Sequence, residues 1–280
     1  MSGAGPRAHP ADNGALLQVS ELSKSFGGVK ALDAVSFDLA GGELLALIGP
    51  NGAGKSTCFN CINGQLRPDA GTVRLAGRDM TGCLPREIWR LGVGRTFQIA
   101  ATWSSMTVAE NLQLAILSHQ GRLRHWWGQA TDMARQPSLE LLESVGLAGM
   151  ADVPCATLAY GDIKRVELAM ALSNQPRLLL MDEPTAGMAP RERNELVALV
   201  KRLVRERNIG VLFTEHSMDV VFAHADRIIV LARGQLIAAG SPDEVRADER
   251  VREAYFGTDG GTDIDTGVGT DVGTIVPPER

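Results

Sequence analysis

Two kinds of apolar pattern alternate along most of the chain. Val35, Phe37 and Leu39 alternate with Ser36 and Asp38, the period of two that marks a strand with one buried face. Leu44–Ile48 is an unbroken apolar run entering Gly49 and Pro50, as a strand buried on both faces reads when it meets a turn. Leu178–Met181, Val211–Phe213 and Ile228–Leu231 repeat that pattern. Leu196, Leu199, Val200 and Leu203 instead share one face of a helix. Thr107-Val108-Ala109-Glu110 and Ser241-Pro242-Asp243-Glu244 have the spacing of capping boxes that open helices. Buried strands interleaved with helices predict an α/β core with a largely parallel sheet. From about Ile99 to Gln175 the strand signals stop, and helical spacings such as Leu139, Leu142 and Val145 take over. We expect there a helical subdomain inserted into the α/β core.

The ends behave differently. Residues 1–15 show no periodicity, and in residues 257–280 Gly, Thr and Asp fill 15 of 24 positions, a composition that cannot bury a core. Both are expected to be disordered tails. The run Gly260-Gly261-Thr262-Asp263 resembles one copy of a calcium-binding repeat, but a single copy has nothing to stack on. The C-terminal tail carries −4 of the net charge of −5. The nearly neutral body lacks the basic footprint of a nucleic-acid binder, so no nucleic-acid partner is expected. No run approaches the ~18 apolar residues of a membrane helix, and the first twenty residues lack the apolar block of a secretory signal. Four cysteines (Cys58, Cys61, Cys83 and Cys155) are too few for a disulfide framework. The expectation is a soluble cytosolic protein. Cys58 and Cys61 form a C-x-x-C with no second ligand pair and read as core residues rather than a metal or redox site.

Chemistry enters at the end of the first buried strand. Gly49-Pro50-Asn51-Gly52-Ala53-Gly54-Lys55-Ser56-Thr57 fits the phosphate-loop pattern G-x-x-x-x-G-K-[ST], between a predicted strand and a helical stretch. Glycines let the backbone curl until its N–H groups converge on phosphate oxygens, and the helix N-terminus adds positive potential. Lys55 is placed to reach the β- and γ-phosphates, and the Ser56 hydroxyl to ligate Mg²⁺. Leu178–Met181 runs into Asp182 and Glu183. In isolation these are two solvated acids at a strand end. Beside a phosphate loop, Asp182 is positioned for the magnesium shell and Glu183 for general-base activation of water.

With these motifs the chain resembles an ATP-binding cassette (ABC) ATPase from about Leu16 to Gly257. The resemblance rests on four further motifs in family order: a glutamine loop in Arg95-Thr96-Phe97-Gln98, a variant signature in Leu158-Ala159-Tyr160-Gly161-Asp162, a D-loop in Ala186-Gly187-Met188-Ala189 and a switch histidine in Thr214-Glu215-His216. Phe26 stands where the family places the aromatic that stacks on adenine. The resemblance implies a P-loop NTPase core with an N-terminal antiparallel β portion and an inserted helical subdomain, using ATP and Mg²⁺. It implies that Gln98 contacts Mg²⁺ and water and that His216 holds the γ-phosphate. It further implies a head-to-tail dimer, in which Ala159, Tyr160 and Gly161 of one subunit face the nucleotide held by residues 49–57 of the other. Leu158–Gly161, Asp182–Met188, Asn60–Gly64 and Gly94–Gln98 are similar to the ATPases of branched-chain amino-acid importers. Such importers join two permease subunits, two ATPases and a periplasmic binding protein, with the ATPases peripheral on the inner face of the cytoplasmic membrane. Urea or short-amide importers share much of this pattern and stand as an alternative. A soluble ABC protein acting on ribosomes or DNA is the reading from another class, but such proteins carry two cassettes, long coiled coils or large extra domains. This chain has a single phosphate loop. The cluster of Arg122, Arg124, His125, Trp126 and Trp127 reads equally as a contact for a membrane subunit or as a local surface staple.

The signature departs from the family's Leu-Ser-Gly-Gly-Gln at Ala159, which has no hydroxyl to donate, and at Asp162, which is acidic. An ionised Asp162 repels phosphate unless it points away or pairs with Lys164 or Arg165. The half-site is therefore expected to close less tightly than one with the full motif, favouring a heterodimer with a second ATPase. The tail yields a separate prediction. Ending the chain after Gly257 leaves melting temperature and nucleotide affinity unchanged, and a melting point lower by several degrees would show that the tail docks on the body.

Overall fold

The computed structural model describes residues 14–96, 102–121 and 134–256. The expected tails beyond residues 14 and 256, Phe97 and Gln98 of the glutamine loop, and the Trp126–Trp127 cluster lie outside the described residues.

The chain opens with β1 (Leu17–Phe26) and β2 (Val29–Leu39), joined by a turn at Gly27 and Gly28, followed by β3 (Leu44–Ile48) and α1 (Lys55–Ile62). Next come β4 (Ala70–Leu75), β5 (Arg78–Asp79), α2 (Pro85–Arg90) and β6 (Val93–Thr96). A helical stretch follows, with α3 (Val108–His119), α4 (Arg135–Ser144) and α5 (Tyr160–Leu172). The core resumes with β7 (Leu178–Asp182), α6 (Pro190–Arg207), β8 (Gly210–Thr214), α7 (Met218–His224) and β9 (Arg227–Ala232). β10 (Gln235–Gly240), α8 (Pro242–Ala247) and α9 (Glu249–Phe256) close the described chain.

Two sheets result. The larger has the order β10-β9-β3-β8-β7-β6, parallel except for the antiparallel β9–β10 pair at its edge. The smaller is antiparallel, in the order β2-β1-β4-β5. Both parts of the expected fold class are present, the parallel α/β core and the N-terminal antiparallel portion.

The unbroken apolar runs are explained by burial on both faces. Ala46, Leu179, Met181, Val211, Phe213 and Ile228 point into one cluster with α3, α5, α6 and α7. Their neighbours Leu45, Leu47, Leu178, Leu180, Leu212 and Ile229 point the other way, into a second cluster with α1 and the antiparallel sheet. Each fully buried leucine contributes about 1.5–3 kcal/mol of transfer free energy, so an interior strand of this kind has no face that tolerates a polar side chain. Cys58 and Cys61 sit in the second cluster. Burial drives both thiols upward, Cys61 to about 11, which leaves them protonated and inert as ordinary core residues.

Both expected capping boxes are present. Thr107 accepts from Glu110 N–H at 3.2 Å while Glu110 reaches back to Thr107 N–H at 2.7 Å, and Ser241 and Glu244 do the same for α8. Between residues 102 and 177 the described chain forms helices, turns and one isolated bridge from Thr107 to Pro154. α4 begins at Ala134 in the left-handed conformation.

Candidate functional site

β3, β8 and β7 lie side by side and run in the same direction. The segments leaving their carboxyl ends therefore gather at one edge of the sheet, the usual place for ligands in open parallel sheets. β3 delivers the phosphate loop, β7 delivers Asp182 and Glu183, and β8 delivers His216. The three motifs are 33 or more residues apart in sequence.

The loop after β3 has a backbone that only glycine permits at two points. Gly49 has φ +156°, and a Cβ there would sit 2.1 Å from the Leu231 carbonyl oxygen of β9. Gly54 has φ +106°, and a Cβ there would sit 2.4 Å from the Ala31 oxygen. Gly234 N–H donates to Ala53 O at 3.1 Å, fastening the loop to the β9–β10 turn. Gly54 caps α1 without a side-chain acceptor, so no cap side chain engages the N–H donors of the first turn. Lys55 is only 9% exposed. Its Nζ bridges the loop, donating to Gly49 O at 2.6 Å and Pro50 O at 3.1 Å. Burial pushes the Lys55 ammonium below the ordinary lysine value, while the charges of Glu183 and Asp182 oppose that shift. Pro50, Asn51, Gly52, Ser56 and Thr57 keep surface exposure along the same loop.

The carboxylates are held from the neighbouring strand. Thr214 Oγ1 donates to Asp182 Oδ1 at 2.8 Å, in register across the β7–β8 pair. The Arg95 guanidinium, from the strand before the glutamine loop, lies 3.5 Å from Asp182 Oδ2 and also reaches Asn60 and Gln65. Glu183 has φ +49°, a costly conformation for a residue with a side chain. Its N–H donates to Thr214 O and Thr214 Oγ1 at 3.2 and 3.1 Å, which fixes that turn. Its carboxylate Oε1 lies 2.7 Å from His216 Nε2. A carboxylate paired with an imidazole beside a buried ammonium can activate water and balance charge on a phosphoryl group. Ser56 and Asp182 offer oxygen ligands of the kind Mg²⁺ prefers, so the residues present fit both a nucleotide phosphate chain and its cation.

The remaining expected positions lie around this edge. Phe26, at the end of β1, is 48% exposed, with Lys24 Nζ 5.6 Å from its ring centre. Ala159 is the N-cap of α5 and, lacking a hydroxyl, makes no side-chain cap. Gly161 lies in the first turn. The candidate pairing of Asp162 is not what forms: Lys164 bonds Glu167 at 3.0 Å and Arg165 approaches Glu195 at 3.6 Å. One turn apart, Lys164 and Glu167 both lie on the buried face of α5.

Some contacts carried no local sequence signal. Tyr160 donates from its hydroxyl to Ala186 O of the D-loop at 3.1 Å, so the signature helix and the D-loop are joined within one chain. Tyr255 of α9 packs against the first core cluster with its hydroxyl sealed from solvent. Burial pushes that phenol up to about 12. Glu215 is buried and bonds both Thr185 and His216. Nothing in the sequence distinguished it from an exposed acid beside a histidine.

Comparison with known proteins gives the family. Residues 32–186 match the family described as ABC transporter, and residues 235–261 match a second family described as branched-chain amino acid ATP-binding cassette transporter. The chain belongs to the ABC transporter family. It is 40% identical over 251 residues to the high-affinity branched-chain amino acid transport ATP-binding protein LivG of Salmonella typhimurium, covering 86% of this chain and 98% of that one. It is 37% identical over 249 residues to the corresponding protein BraF of Pseudomonas aeruginosa, with the same coverage. A crystal structure of the ADP conformation of an ATP-binding cassette of an ABC transporter superposes with a TM-score of 0.78 at 33% identity, covering 87% of this chain and 99% of that one.

The glycine geometry makes a graded prediction. Gly52→Ala, where an added Cβ meets nothing within 4 Å, costs about 1 kcal/mol for the left-handed backbone. Gly49→Ala adds a backbone clash and costs at least about 2 kcal/mol. Urea denaturation of the two variants checks the order, and equal losses would refute it.

Proposed function

We propose that this chain is the ATP-binding and ATP-hydrolysing subunit of an importer for branched-chain amino acids, working with Mg²⁺. The observation that carries the hydrolytic reading is the Glu183–His216 pair at 2.7 Å, gathered at the same sheet edge as the phosphate loop. Amides of residues 49–57 and the Lys55 ammonium bind the phosphate chain, and Phe26 stacks on the adenine. Ser56, Asp182 and Gln98 hold Mg²⁺, which when bound neutralises charge on the phosphates. Glu183 takes the proton of the attacking water, and His216 keeps the Glu183 carboxylate in place while contacting the γ-phosphate. In a dimer, Ala159, Tyr160 and Gly161 complete the partner's site through the N-terminus of α5.

Among the described residues no helix is long and apolar enough to cross a membrane, and in this reading permease subunits supply the path across it. A groove of about 640 Å³ with a mostly apolar lining, including Ile88, Trp89, Trp103, Leu114 and Met170, supports docking of such a subunit. In this reading the chain works on the inner face of the cytoplasmic membrane, with a periplasmic binding protein across it. Family membership of the C-terminal residues 235–261 and the LivG and BraF relatives support branched-chain amino acids as the cargo. The Ala159 cap deficiency, about 1 kcal/mol relative to serine in an ordinary helix, adds to the weak signature and supports a heterodimer with a second ABC ATPase.

Two measurements test the proposal. Glu183→Gln lowers ATP turnover about 10²–10⁴-fold while equilibrium ATP binding survives, whereas Lys55→Ala loses binding; near-normal turnover in Glu183→Gln defeats the base assignment. Purified Glu183→Gln protein stays monomeric with ATP at micromolar concentration and dimerises when a second ATPase or the permeases are added. Tight homodimers would sink the asymmetric assembly.

A further inference from the structure

Glu215 is 4% exposed and has no role in the reaction described above. Its carboxylate nevertheless joins the two elements that carry the chemistry. Oε1 accepts from Thr185 N–H at 2.9 Å and from Thr185 Oγ1 at 2.6 Å, a length typical of a charge-assisted O–H···O⁻ bond. Oε2 accepts from His216 N–H at 3.2 Å. Thr185 follows Glu183 by two residues, and both Thr185 and Thr214 are 1% exposed. The strained turn at Glu183 is thus held on one side by Thr214 and on the other by Glu215.

We propose that Glu215 is a positioning residue for hydrolysis: it ties the turn that carries Glu183 to the backbone of His216, so that base and histidine stay in contact. This inference rests on the ATPase reading above. Its logic is geometric. The Glu183–His216 pair spans two different strands and is reachable by solvent, with 57% of the histidine side chain exposed. A pair so exposed keeps a 2.7 Å contact only if both backbones are fixed from behind. Glu215 makes that connection out of water, where its three bonds do not compete with solvent. Arg193 makes a second link between the same segments, donating to Met188 O and Ser217 Oγ at 2.7 Å each.

Glutamine at position 215 has one acceptor oxygen where the carboxylate has two. If it serves Thr185, an NH₂ group faces the His216 N–H, and the histidine loses its anchor. Misplacement of a reacting group by about 1 Å costs on the order of 10²-fold in rate. The unmodified chain is therefore compared with Glu215→Gln, Thr185→Val and Thr185→Ser, for steady-state ATP hydrolysis in the complex assembled with the second ATPase and the permeases, and for equilibrium binding of a fluorescent ATP analogue and melting temperature as the purified chain. We expect Glu215→Gln to lower kcat about 10- to 100-fold with KM and ATP binding within about twofold of the unmodified chain. Thr185→Val, which keeps the shape but deletes the 2.6 Å bond, lowers kcat in the same way, and Thr185→Ser restores it. In a His216→Ala background, Glu215→Gln lowers the residual rate no further. Unchanged kcat in Glu215→Gln overturns the proposal, as does a loss of the same size with and without His216, which marks a merely structural residue. Should Glu215→Gln fail to fold, equal turnover in Thr185→Val and Thr185→Ser overturns it. The unmodified protein separates the two readings: if the chain does not bind ATP and the assembled complex does not hydrolyse it, the ATPase assignment fails. If it does both while the variants match it, only the role of Glu215 fails.

Discussion

Three parallel strands, β3, β8 and β7, end together at one edge of a sheet that is buried on both faces, and every group at the site depends on that alignment. Parallel strands cannot be joined by tight hairpins, so each is followed by a crossover that carries the chain away from the edge and back. The residues immediately after each strand are therefore the only ones delivered to a common place, whatever their distance in sequence. Lys55, Glu183 and His216 meet for this reason. The apolar clusters on the two faces hold the strands in register, and a one-residue slip would turn each buried face toward the wrong cluster.

The cost of the site is carried in its backbone. Gly49 and Gly54 occupy conformations in which a side chain would strike a neighbouring carbonyl, and Glu183 occupies the left-handed region with a side chain present. Such conformations persist where surrounding bonds over-determine them. Here Thr214 supplies that restraint twice, to Asp182 through its hydroxyl and to Glu183 through both of its oxygens. The buried threonine of β8 thus holds the two carboxylates at fixed positions relative to each other. Lys55 is restrained differently, by two carbonyls of its own loop, so its charge is fixed near the carboxylates before any phosphate arrives.

The signature region shows how a weak motif can be compensated elsewhere. Ala159 leaves α5 without a side-chain cap, but Tyr160 ties the start of that helix to the D-loop. Lys164 lies 5.5 Å from the same ring and pairs with buried Glu167. The start of α5 is therefore braced from within its own chain.

The sequence by itself determined the sheet and the motifs, because strands buried on both faces must be apolar at every position and a phosphate loop must carry glycine where no Cβ fits. Leu44–Ile48, Leu178–Met181 and Val211–Phe213 were legible for that reason, as were the capping boxes of Thr107 and Ser241. The short edge strands were not. β5 has two exposed residues and β6 reads Val-Gly-Arg-Thr, patterns too brief for a period to register. Side-chain partners across the fold were hidden as well. Lys164 pairs with Glu167 rather than Asp162, since which acid shares its buried face depends on how α5 is rotated against the core. Glu215 bonds Thr185 from 30 residues away, and Tyr255 packs against the first core cluster from the far end of the described chain. Hydrophobic patterning is local and repeats along the chain, so it can be read in one dimension. A hydrogen bond between distant residues exists only once the strands have been stacked in order, and that decision belongs to the tertiary structure.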